Sequence, residues 1–78
     1  MELAKEFLEL EGQKVRKIVL NKITSDKSDL SRGKRVLEFN LFDIEIDYAA
    51  ASVCIEEISP PCRIEKISLT AFVEALLS

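Results

Sequence analysis

Asp43, Glu45 and Asp47 stand two residues apart in the run from Phe42 to Tyr48, and Glu56 and Glu57 follow soon after. In an extended chain successive side chains point to opposite faces, so the first three carboxylates share one face. Oxygen donors of this kind suit a hard cation such as Mg²⁺ or Ca²⁺. Same-face neighbours on a strand lie about 7 Å apart, however, too far for one ion to be held by all three without ligands from a loop. The chemistry left to the group is electrostatic: an acidic face, either paired with basic neighbours or offered to a basic partner. Asp43, Glu45, Asp47, Glu56 and Glu57 are therefore the candidate partner-binding residues.

The cations are concentrated elsewhere. From Lys14 to Arg35, eight basic residues (Lys14, Arg16, Lys17, Lys22, Lys27, Arg32, Lys34, Arg35) oppose only Asp26 and Asp29; from Val36 onward, eight acidic residues oppose Arg63 and Lys66. Such sorting either brings basic and acidic segments together within one fold or leaves a charged surface that steers a partner. Arg32, Lys34 and Arg35 around Gly33 form a candidate anion-binding turn, although the glycine pattern and Ser/Thr of a phosphate loop are missing. Nucleic acid or phosphate is thus the alternative ligand, taken up by segment 14–35. Against it, the segment has no aromatic platform for bases, and the chain is acidic overall, with a formal net charge of −3.

Covalent chemistry has little to work with. There is no His, so Ser and Thr lack an imidazole base, and neither Cys54 nor Cys62 lies in a nucleophile motif. Arg63 beside Cys62 favours thiolate, but a small structural thiol is the simpler reading. Two cysteines without His make a poor zinc site. Small secreted chains usually carry more cysteines, so two reduced thiols are expected, with a disulfide across Pro60-Pro61 as the alternative. The acidic Glu2 and Glu6 stand where a targeting segment needs basic and apolar residues, and no apolar run approaches the ~18 residues of a membrane span. A cytoplasmic protein is expected, with no catalytic residue, metal or cofactor assigned.

The elements that position these groups follow from periodicity. Leu3, Phe7 and Leu10 recur at helical spacing, with Ala4 and Leu8 beside them, and predict a helix over 2–11 that Gly12 stops. Lys14 to Ile23 is rich in Val and Ile. It is read as a strand because Gly12 breaks the helical phase, although Val15, Ile18, Val19 and Ile23 also fit a helix. Thr24 to Gly33 is polar and turn-forming and predicts a long loop. Arg35 to Tyr48 alternates strongly but changes phase between Leu41 and Phe42, which predicts one long strand bent by a bulge near Asn40. If Lys14 to Ile23 pairs with it, Lys14, Arg16 and Lys22 face the three carboxylates. Val53 to Ile58 and Cys62 to Ile67 are further strands flanking Ser59-Pro60-Pro61, the second at an edge. Leu69, Phe72, Val73 and Leu76 then predict a C-terminal helix, with Ser68 or Thr70 as N-cap.

The fold class expected is α+β: one two-layer domain over 1–78, with an N-terminal helix, three or four mostly antiparallel strands and a C-terminal helix. Phe7, Phe39, Phe42 and Phe72 are its candidate aromatic core. The chain is 47% hydrophobic, with two Gly and two Pro, a folded composition that leaves apolar surplus in so short a chain. With the apolar faces of two helices competing for one sheet face, a homodimer is expected. The function this composition favours is a small non-enzymatic protein-binding module, such as a regulator, adaptor, inhibitor or immunity-type protein, acting through the acidic strand surface. The alternatives are nucleic-acid or phosphate binding through 14–35 and a structural homo-oligomeric subunit.

Overall fold

Leu3, Ala4, Phe7 and Leu8 are buried on one face of the first helical segment, while Leu10, part of the expected stripe, is 60% exposed. The computed structural model describes residues 2–29 and 33–78, except for the side chains of 27–29, and places these residues in α1 (Glu2–Asp29). Gly12 interrupts this helix at φ 83°, ψ −176°, a conformation essentially reserved for glycine. The predicted stop is therefore real, but a second helical arm follows it. Val19, Ile23 and Asp26 are buried along that arm at i, i+4 and i+7, so the expected strand over Lys14 to Ile23 is helix. Burial of a helical stripe outweighs the β preference of Val and Ile. The expected loop from Thr24 is also corrected, since the helix runs on to Asp29 and Asp26 serves as an internal polar anchor.

Four strands follow, β1 (Lys34–Glu38), β2 (Phe42–Asp47), β3 (Ser52–Glu57) and β4 (Ile64–Ser68), then α2 (Leu69–Leu77). They form one open antiparallel sheet in the order β1-β2-β3-β4. The single bent strand expected over Arg35 to Tyr48 is instead a hairpin. Phe39 N–H donates to the Phe42 carbonyl at 2.9 Å, leaving Asn40 and Leu41 as the turn. The apolar phase changes there because the chain reverses: Leu37 and Phe39 on one limb face the same side as Phe42, Ile44 and Ile46 on the other.

Both helices cover this one side. Phe42, Ile44, Ile46, Val53 and Ile55 are buried with Phe7, Val19, Phe72 and Leu76 in one core. The Phe7 ring packs within 5.3 Å of Phe39 and 5.6 Å of Phe42, centroid to centroid, and lies 6.4 Å from Phe72. Offset and edge contacts at these separations are the favourable ones for aromatic quadrupoles. Ser68, in extended conformation, caps α2 by accepting from Ala71 N–H at 3.1 Å. The result is a small α+β domain whose sheet is covered by helices on one side and open on the other.

Candidate partner-binding face

Antiparallel pairing settles which side chains share the open side. Phe42, Ile44 and Ile46 are buried, so Asp43, Glu45 and Asp47 project outward from the same strand. Register places Asp43 between Glu38 and Glu56, Glu45 between Val36 and Cys54, and Asp47 between Lys34 and Ser52. Lys66 lies opposite Cys54 on β4. The open face therefore carries Glu38, Asp43, Glu45, Asp47 and Glu56 against two lysines. Lys34 lies 3.6 Å from Glu45 and 4.0 Å from Asp47. It takes the place expected for Lys14, Arg16 and Lys22, which are on α1.

Glu38, Asp43 and Glu56 form a row across three strands, and among the described residues no Lys or Arg forms an ion pair with any of the three. Like charges directly opposite on a sheet destabilise it by a few tenths of a kcal/mol or more, about the size of other cross-strand pairs. Glu38 was not among the candidates, because its place in this row depends on the hairpin turn. Among the described residues, no group of three or more His, Cys, Asp or Glu side chains is gathered closely enough to hold a metal ion.

Glu57 does not belong to this face. It has the opposite parity and receives Arg63 Nε at 3.1 Å and Nη2 at 2.8 Å; these bonds hold its carboxyl below the ordinary carboxylate range. The same guanidinium donates to both Glu6 oxygens at 2.9 Å, so Arg63 clasps the first arm of α1 to the sheet. Glu65, also inward, accepts from Ala4 N–H at 3.1 Å and Leu3 N–H at 3.4 Å. Burial, the largest single influence, pushes its carboxyl up, but the lowering contacts together, the helix N–H donors first among them, hold it below its usual range.

Of the candidate anion-binding residues, Lys34 and Arg35 diverge. Arg32 lies outside the described residues; Lys34 is on the open face, whereas Arg35, one residue on, points beneath the sheet. There Arg35 Nε donates to Asp26 Oδ2 at 2.8 Å and Nη2 to Oδ1, and Tyr48 Oη donates to Oδ2 at 2.8 Å. Asp26 is 2% exposed. The Arg35 hydrogen bonds outweigh burial and lower its carboxyl pKa, while burial and the adjacent carboxylate push the Tyr48 phenol up. Arg16 is used at the far end of α2, donating to the carbonyls of Ser78 at 2.9 Å and Ala75 at 3.3 Å. These are the C-terminal carbonyls a helix leaves unpaired. Lys14, Lys17 and Lys22 remain exposed on the second arm of α1.

Cys54 and Cys62 are both free thiols. Cys54 sits half-buried on the open face, where burial first, then Glu45 and Glu56, push its thiol pKa up. That makes it a poor nucleophile. Between Lys5, Leu8 and Glu9 of α1 and Ala71, Glu74 and Ala75 of α2 lies a groove of about 390 Å³. Arg16 and Ser78 also line it, and the Arg16 guanidinium there is engaged by the carbonyls of Ala75 and Ser78. No helix among the described residues is long and apolar enough to cross a membrane.

Fold and face together define a small α+β domain with one uncovered, acidic sheet surface. No family model, curated protein or solved structure matches the chain.

Proposed function

We propose that this chain is a non-enzymatic protein-binding module, of the regulator, adaptor or inhibitor kind, whose open sheet face receives a basic surface of another protein. One observation carries the reading: Glu38, Asp43 and Glu56 stand opposite one another across three strands, an arrangement of like charges that repels, and among the described residues no Lys or Arg forms an ion pair with them. A basic partner would relieve that repulsion, and the surrounding Asp47 and Glu45 would speed the encounter. Two free thiols suit a cytoplasmic setting.

The test is a chemical-shift titration with a Lys/Arg-rich peptide and, separately, a DNA duplex. The peptide is expected to shift the amides of Glu38, Asp43, Cys54 and Glu56, and E56K with D43K to abolish the effect. Shifts confined to Lys14, Lys17 and Lys22 on addition of duplex, with none from the peptide, would reverse the assignment in favour of nucleic acid.

A further inference from the structure

We propose that β1 is a dimerisation edge, at which two copies join their sheets by antiparallel β1–β1 pairing centred on Val36. In the hairpin, Tyr48 N–H bonds the Gly33 carbonyl at 3.0 Å and Phe39 N–H bonds the Phe42 carbonyl at 2.9 Å. Hydrogen-bonded pairs alternate along an antiparallel ladder, so Gly33, Arg35, Leu37 and Phe39 turn their backbone groups toward β2. Lys34, Val36 and Glu38 turn theirs outward. β1 is the end strand of the sheet, and Val36 is 58% exposed.

Charged residues on an edge normally discourage pairing. Here they select a partner. With Val36 on the two-fold axis, Lys34 of each copy lies opposite Glu38 of the other, and the valines meet between them. Lys34, Val36 and Glu38 then each donate and accept a backbone hydrogen bond across the axis. The other edge has no such match: on β4, Ile64, Lys66 and Ser68 face outward by the same alternation, because Glu57 N–H bonds the Arg63 carbonyl at 2.8 Å. Self-pairing there opposes Lys66 to Lys66. Joining β1 to β4 in the centred register sets Val36 against Lys66 and Glu38 against Ile64, with no charge pair, so the closed dimer wins over an open chain. A two-fold axis normal to the sheet keeps both open faces on one side, giving an eight-stranded sheet. The pairing draws Lys34 and Glu38 from the edge of that face and leaves Asp43 and Glu56 uncovered on it, so self-association can be read with no basic partner present.

Sedimentation velocity from about 5 to 500 μM tests the proposal, with a dissociation constant of roughly 10–100 μM expected for so short an interface. K34E and E38K should each weaken self-association about ten-fold, since each opposes like charges twice across the axis. An equimolar mixture of the two restores complementarity and is expected to give a heterodimer. Val36→Pro removes an N–H the monomer does not use, and should abolish the dimer while leaving the circular dichroism spectrum intact. If K34E loses its fold, E38K and Val36→Pro decide the matter alone. A wild-type monomer throughout, a dimer indifferent to E38K and Val36→Pro, or two folded single variants that fail to combine would each overturn the assignment.

Discussion

Asp26, itself buried, receives three hydrogen bonds, two from Arg35 and one from Tyr48, and thereby ties α1 to the first hairpin. Asp26→Asn keeps the shape but leaves Arg35 without its counter-ion. Because Arg35 is 32% exposed, water recovers part of the loss, and a destabilisation of about 2–4 kcal/mol is expected by urea unfolding. The carboxyl is held below its free value of 3.8, so the folded state binds its proton more weakly than the unfolded chain does. Its contribution is therefore complete above about pH 4 and lost as pH falls through the lower folded value. Melting temperatures between about pH 5 and 2 should fall less steeply in Asp26→Asn than in the wild type. Tyr48 has the opposite sign: raised in the fold, its contribution is full below about pH 10 and disappears as pH rises further. It is the only Tyr, and there is no Trp. Absorbance at 295 nm should thus show tyrosinate appearing at higher pH in the folded protein than in denaturant.

The elements differ in how openly the sequence declares them. The arm over 2–11, the strands after Ala51 and the C-terminal helix were legible because their periodicity and their punctuation by Gly12, Pro60-Pro61 and Ser68 agree. The second arm of α1 was not. Its Val and Ile residues satisfy both periods, and the residue that decides, Asp26, looks like a turn former until its partners Arg35 and Tyr48 are known. The hairpin at Asn40 was hidden for a related reason, since a phase change in alternation is the mark of a bulge and of a reversal alike. Gly12 carries the bend that lets both arms lie on the same sheet. A Cβ there would meet no atom within 4 Å, so the cost of Gly12→Ala is conformational, about 1–3 kcal/mol. Chemical synthesis with D-alanine at 12, which accepts positive φ, should recover most of that loss in thermal melts.

At the scale of the molecule, charge sorting along the chain becomes a division between inside clasps and outside faces. Arg35, Arg63 and Arg16 are used within the fold, while the open sheet face keeps five carboxylates and two lysines. Four of the five candidate acidic residues share that face because alternation is readable from sequence. Glu57, next to Glu56 in β3, falls on the other side by that same alternation, whereas Glu38 went unnoticed because its place is set by the hairpin pairing. The unrelieved row makes a further prediction: Asp43→Asn should stabilise the free protein by about 0.3–1 kcal/mol at low ionic strength, with the gain shrinking in about 1 M salt. Glu65 bears on the order of assembly. The first turn of α1 obtains its cap from a strand 61 residues away, whereas the four strands close only local hairpins. The meander can condense early, and the cap exists only after β4 has joined it. Folding should therefore pass through a barrier at which the sheet is largely built and the N-terminal arm is still undocked, so that Leu3→Ala and Glu65→Gln accelerate unfolding and leave the refolding rate nearly unchanged.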